Sequence, residues 1–220
     1  MTEIPLQDFS KSVTVIDHPM VQHKLTILRN TSTGTKKFRE LIKELAMFEA
    51  YEATRHFKLE PVQVETPLCE TTAYSLKGRK VAIVPVLRAG LGMVEGILEL
   101  IPAARVGHVG LYRDPHTHLP VEYYCKLPED IDTREVLIVD PMLATGGSAS
   151  AAIELLRQRG VPLKHIRLLV IIAAPEGIQK VLEGDPGINI YTCAIDDHLD
   201  GHAYIVPGLG DAGDRIFGTR

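Results

Sequence analysis

Apolar positions along the chain follow two rhythms. Over 35–56 the residues Phe38, Leu41, Ile42, Leu45 and Phe48 recur at three- and four-residue spacing, which predicts an amphipathic helix. Thr35 is placed to cap its start, and Pro61 follows its end. Elsewhere the apolar residues run together: "KVAIVPVL" (80–87), "VLIVD" (136–140), "HIRLLVIIAA" (165–174) and "INIYTCAI" (188–195). Such runs predict strands covered on both faces. Weaker strand patterns lie at "VTVID" (13–17), "PVQVETPL" (61–68), "RVGHVGLY" (105–112) and "VEYYCKL" (121–127), and "RDPHTHLP" (113–120) between the last two reads as an exposed turn or arm. Helical patterns lie at 90–101, despite glycines, at 148–160, ending near Gly160, and at 175–183, with Pro175 suited to a first turn. The glycine-rich tail from Gly201 reads as a structured loop. Apolar strands alternating with helices imply an α/β fold with a mostly parallel central sheet flanked by helices. Ligands of such sheets bind at the carboxyl ends of the strands, which singles out Arg88, Arg113, Asp140 and the C-terminal glycines.

Composition narrows this picture without redirecting it. The 220 residues, 45% apolar and 24% charged, suit a single globular domain over 1–220. The formal net charge of -4 comes with no block of Lys or Arg, so neither nucleic acid nor an anionic membrane is an expected partner. Cys69, Cys125 and Cys193 are far apart and show no metal-binding spacing, so the expectation is buried free thiols in a reducing compartment. The N-terminus lacks a signal-peptide layout, and no apolar run is long enough for a bilayer; a cytoplasmic location is expected.

The chemistry concentrates where "VLIVD" runs into "PMLATGGS". Glycine permits positive φ and lets backbone N–H groups converge, and the following helix N-terminus adds unpaired donors and partial positive charge. Thr145 and Ser148 add hydroxyls. A strand, an Asp, hydroxyls and a helix start together predict a phosphate-binding loop at 144–148 rather than a plain turn. Two other phosphate motifs fail. GxxxxGK[ST] does not occur, and "GLGDAG" (208–213) lies too near the C-terminus to open a dinucleotide-binding unit.

The segments "VIDHPMVQHKLTILRN", "VPVLRAGLGMVEG", "VGLYRDP", "VDPMLATGGS" and "YIVPGLGDAGDRIFGT" resemble the uracil phosphoribosyltransferases, a type I phosphoribosyltransferase family, over nearly the whole chain. The resemblance implies transfer of the phosphoribosyl group from 5-phospho-α-D-ribose 1-diphosphate (PRPP) to uracil, giving UMP and diphosphate. It also implies a β-arm over the site, a C-terminal base-binding loop, Mg2+ with the diphosphate, and a homodimer or larger homo-oligomer. Some relatives respond to GTP, and no triphosphate motif decides that here. By resemblance PRPP falls on Arg88, Arg113, Asp140, Pro141, Met142, Leu143, Ala144, Thr145, Gly146, Gly147, Ser148 and Asp211. Uracil falls on Ile205, Gly210, Asp211 and Ala212, and the catalytic residues are Arg88 and Asp211. Asp140 is followed by Pro141, as in uracil enzymes, where many type I relatives have two adjacent acids. Mg2+ would be held mainly by substrate and water, with Asp211 as a direct or water-mediated partner. No general base is identified; His108, His116, His118, His198 and His202 qualify by type only. Departures from the family pattern are "PHTH" (115–118) in place of a more acidic arm tip, Asp200 where relatives usually have Asn, and Ala203 where they usually have Gly. A phosphoribosyltransferase for another base is the first rival reading, and "YIVPGLGDAGD" argues against it. An RNA-binding regulator built on the same fold is the second; the net acidic chain argues against that. Intact Arg88, "ATGGS", Asp140 and Asp211 argue against an inactive family member.

Overall fold

The computed structural model describes residues 9–113 and 120–219, with the side chains of Arg113 and Pro120 left aside. In chain order the elements are β1 (Val13–Val15), α1 (Pro19–Arg29), α2 (Thr35–Ala53), β2 (Leu59–Glu65), β3 (Glu70–Leu76), β4 (Val81–Leu87) and α3 (Leu91–Leu100). Then follow β5 (Arg105–Val106), β6 (His108–Arg113), β7 (Pro120–Lys126), β8 (Glu135–Val139), β9 (Met142–Leu143) and α4 (Gly147–Gln158). The chain closes with β10 (Ile166–Ala173), α5 (Pro175–Gly184), β11 (Asn189–Ile195), β12 (His198–Leu199), β13 (Ile205–Val206) and α6 (Ala212–Phe217).

The central sheet runs β1-β11-β10-β8-β4-β6-β7. Every pair along that path is parallel except β6 with β7. This is the architecture expected from the sequence. The four apolar runs form its interior strands, and their alternate residues feed two cores. Val81 and Ile83 of β4, with Leu137 and Val139 of β8, pack under α1, α2 and α3. Ala82, Val84 and Val86, with Val136 and Ile138, pack under α4 and α5. Both faces are covered, so no polar alternation survives in these strands.

Several expectations are corrected. The chain 19–29, left without an element above, is a helix that buries Val21, Leu25 and Leu28. The run 105–112 is two strands, divided at Gly107. The single strand at 61–68 is one half of a hairpin whose partner, β3, is almost wholly exposed. The tail is not only loop, because α6 forms within it. All three cysteines are free, but only Cys193 is buried; Cys69 is exposed and Cys125 partly so. Burial pushes the Cys193 thiol up, as does the neighbouring Glu49 carboxyl. The arm residues 114–119, with His116 and His118, lie outside the described residues. No helix among the described residues is long and apolar enough to cross a membrane.

Candidate active site

The sheet itself gathers the candidate residues. Asp140 follows β8, Arg88 follows β4 and Arg113 ends β6, and these three strands are adjacent and parallel. Their carboxyl ends therefore share one edge, with neighbouring strands ~4.8 Å apart. From β4 the chain crosses first to β6 on one side and then to β8 on the other. The gap between β4 and β8 is thus the topological switch point, where open α/β sheets leave a crevice. Arg88 and Asp140 stand on either side of it.

From Asp140 the chain turns through the short strand β9 into the loop and α4. Gly146 caps α4 with φ 79°, in the left-handed region. A Cβ there would lie 2.8 Å from the Gly177 carbonyl oxygen of α5. Sterics and backbone conformation both require glycine, as the bare sequence predicted. The loop, Asp140, His202, Ala203 and Asp211 line one recess of about 410 Å³. Burial pushes the Asp140 carboxyl up to about 7, against the weaker pull of the Met142 N–H that it accepts at 3.4 Å.

The opposite wall is built from the tail. Ile205 is buried in β13, Gly210 has φ 77°, and Ala212 is buried at the start of α6. Asp211 caps α6, its Oδ1 accepting the Asp214 N–H at 2.9 Å. A second recess of about 430 Å³ lies here, lined by Thr31, Thr33, Thr35, Tyr204 and Gly210 among others. Asp211 lines both recesses. Arg88 is largely exposed, with Nη2 3.8 Å from Asp214 Oδ1 and its guanidinium 5.8 Å from the Phe217 ring centre. The Arg88 charge is thus available to an anionic ligand and is steered by α6.

Of the histidines nominated by type and described, only His202 lines the loop recess; His108 and His198 line neither recess. Asp200 holds the turn that presents His202, its Oδ1 accepting the His202 N–H at 2.8 Å and the Tyr204 N–H at 2.9 Å. Those bonds lower its pKa, Tyr204 first and His202 next. Ala203 sits at φ 65°, a left-handed conformation easier for the Gly that the family pattern has there.

Sequence reasoning missed what holds the tail in place. Arg29 of α1 grips Asp196 through two bonds of 2.8 and 2.6 Å, and its Nη1 also donates to the Gly208 carbonyl at 2.8 Å. Asp196 Oδ2 in turn accepts the Gly208 N–H at 2.9 Å. Gly208 has φ 64°, and a Cβ there would meet the Ile205 carbonyl. Arg215 ties Leu209 to the α1–α2 connection, donating to the carbonyls of Leu209 at 2.8 Å and Asn30 at 2.7 Å. Long-range pairs of this kind leave no local pattern; only the hydroxyl-rich "TSTGT" was a visible signal. Truncating Arg29 leaves Asp196 buried without its cation, a loss of about 3 kcal/mol or more. Arg29→Ala is therefore expected to lower the melting temperature by about 6 °C or more, read by scanning calorimetry. An unchanged melting temperature would contradict this role of the salt bridge.

A family model described as uracil phosphoribosyltransferase matches residues 15–219. Uracil phosphoribosyltransferases of Agathobacter rectalis and Clostridium tetani are 62% and 61% identical to the chain over 208 residues, 94% of this chain and 99% of each relative. Among solved structures, the AQ2163 protein from Aquifex aeolicus is 36% identical, with a TM-score of 0.85 over 93% of this chain and 97% of its own. An adenine phosphoribosyl transferase from Trypanosoma brucei shares the fold at 12% identity, with a TM-score of 0.56 over 90% of this chain and 87% of its own.

Proposed function

The chain belongs to the uracil phosphoribosyltransferase family, and on that premise we propose how its residues divide the reaction between them. The reaction is transfer of the phosphoribosyl group from PRPP to uracil, releasing diphosphate and giving UMP. The transition state gathers positive charge on the ribose ring while the diphosphate leaves. Catalysis is then mostly positioning and charge stabilisation.

In this reading the 5′-phosphate sits on residues 144–148, held by backbone N–H groups, the Thr145 and Ser148 hydroxyls and the start of α4. Pro141, Met142 and Leu143 set the approach to that loop. Asp140 accepts hydrogen bonds from the ribose hydroxyls. Arg88 and Arg113 take diphosphate oxygens, a task suited to a planar, permanently charged fork. Backbone groups of Ile205, Gly210 and Ala212 read the flat edge of uracil. Cytosine would set an amino group against a donor there, leaving polar groups unpaired. Asp211 faces the ribose from between the two recesses, and that shared position is the observation that carries the reading.

Phosphoribosyltransferases generally use Mg2+ with PRPP. Among the described residues no group of three or more His, Cys, Asp or Glu side chains could hold a metal by itself. Asp140 and Asp211 do line one recess, a donor set that suits an ion ligated mainly by phosphate oxygens and water. When bound, the ion would neutralise diphosphate charge and orient the leaving group.

A homo-oligomer is part of the same proposal. The β2–β3 hairpin pairs only with itself, and it exposes Leu59, Val64, Leu68, Tyr74 and Leu76. A lone two-stranded hairpin is marginally stable in water, so a second copy is its natural cover.

The reading is tested by magnesium-dependent product formation from PRPP with uracil, cytosine, hypoxanthine and orotate in parallel. UMP from uracil, with the other bases nearly inert, is expected. A preferred purine would overturn the assignment of the tail to uracil.

The Asp140 carboxyl adds a pH prediction. Its folded pKa lies above the unfolded value of about 3.9, so the folded state holds the proton more tightly. That contribution to stability is complete below the unfolded pKa and is lost as pH rises to about 7. Asp140→Asn is expected to stabilise the free protein at pH 8 by about 1 kcal/mol, ~2–4 °C in melting temperature after solvent screening. The same change weakens PRPP binding. In the wild type, kcat/KM for PRPP falls as pH drops below about 7. A variant no more stable at pH 8 than the wild type would remove the burial argument.

A further inference from the structure

The recess at residues 144–148 has an uneven charge. Two carboxyl groups, Asp140 and Asp211, line it beside the bare loop, and the one lining side chain able to carry positive charge is His202. His202 comes from the tail, on a turn that is firmly mounted. Asp200 Oδ1 accepts the His202 and Tyr204 N–H groups. The Asp200 N–H donates to the Tyr204 carbonyl at 2.8 Å, and the Ala203 N–H donates to the Asp200 carbonyl at 2.9 Å. Just before the turn, the Leu199 N–H donates to Glu176 Oε1 at 3.0 Å. Glu176 lies in the first turn of α5. Its neighbour Gly177 packs so closely on the loop that a Cβ there would collide with the Ala144 carbonyl. The His202 turn and the loop are thus fastened to the same end of one helix. The bond that holds residue 202 uses its backbone, which leaves the imidazole to face the recess.

We propose that the His202 imidazole donates a hydrogen bond to the 5′-phosphate of the phosphoribosyl substrate, as a binding residue supplied by the tail. The proposal rests on the reading that residues 144–148 hold that phosphate. The donors of the loop itself are neutral N–H and hydroxyl groups. Imidazole donates in both of its charge states, and when protonated it adds a countercharge for a phosphate dianion set near two carboxyl groups. The tail recess, assigned above to the base, is not lined by His202. Its position therefore suits the phosphate end of the substrate and not proton transfer at uracil N1, the role for which its residue type first singled it out.

Calorimetric titration of ribose 5-phosphate and of UMP into the full-length protein tests this. His202→Ala, at an exposed position, is expected to keep the wild-type melting temperature. It is expected to weaken both ligands by the same factor, about tenfold or more, as the loss of one hydrogen bond to a charged group implies. KM for uracil at saturating PRPP is expected to stay unchanged. His202→Gln keeps a side-chain N–H donor and is expected to recover most of the lost affinity. Gly146→Val, which alters the loop and not the turn, separates the contact from the reading beneath it. Ribose 5-phosphate weakened by Gly146→Val but not by His202→Ala would leave the loop as the phosphate site and overturn the His202 contact. Wild-type affinity in both variants would overturn the two together. A rise in KM for uracil that matches the loss of ribose 5-phosphate, with no recovery in His202→Gln, would mean a collapsed turn and would also overturn the proposal.

Discussion

Asp211→Asn is expected to fold normally and to lose turnover by about a hundredfold, the scale seen when one charge-stabilising group leaves a catalytic site. The substitution is informative because Asp211 does two things at once. Its Oδ1 caps α6 by accepting the Asp214 N–H, and asparagine caps a helix as well as aspartate does. The exposed side chain also lines both the loop recess and the tail recess. Only the negative charge is removed, so a fall in kcat with unchanged melting temperature assigns that charge to the reaction. KM for uracil should move little, since the contacts proposed for the base are backbone groups. Unchanged kcat would take Asp211 out of the mechanism.

Gly146→Val is expected to raise KM for PRPP by about tenfold to a hundredfold, with a smaller effect on KM for uracil. Two physical effects act together. A β-branched residue resists φ near 79°, and its Cβ would press on the Gly177 carbonyl at 2.8 Å. Relief of that contact moves the loop or α5, and the N–H groups no longer converge on one phosphate. The local nature of the clash confines the damage to one edge of the sheet. Calorimetry of PRPP binding in the absence of uracil isolates the effect. Unaltered affinity in a folded variant would refute the phosphate-loop assignment.

The contrast between these residues and the parts that sequence did not reveal has a physical basis. The loop proposed for the phosphate is continuous in the chain, and each of its requirements leaves a local mark: the buried β8 before it, glycine where φ is positive, hydroxyls beside the helix start. The interior strands β4, β8, β10 and β11 were legible because burial on both faces writes unbroken apolar runs. By contrast, β3 reads "ETTAYSL", and exposure of both its faces leaves no alternation to detect. Helix α6 has six residues, too few to show a period, and it starts among glycines. Helix α1 did leave a mark, since its buried Val21, Leu25 and Leu28 recur at four- and three-residue spacing, but the run is short and begins at a proline. The Arg29–Asp196 clamp and the loop recess with His202 join residues that only the fold brings together.

The central claim is that a single ligand spans the two walls, with its phosphate on residues 144–148, its base on the tail and Asp211 between them. A crystal structure of the protein with UMP tests this most directly. The account predicts the 5′-phosphate within hydrogen-bond reach of the backbone N–H groups of 145–148. It also predicts the ribose hydroxyls on Asp140 and the uracil edge against the backbone of Ile205, Gly210 and Ala212. A phosphate bound away from that loop, or a base turned away from the tail, would contradict it.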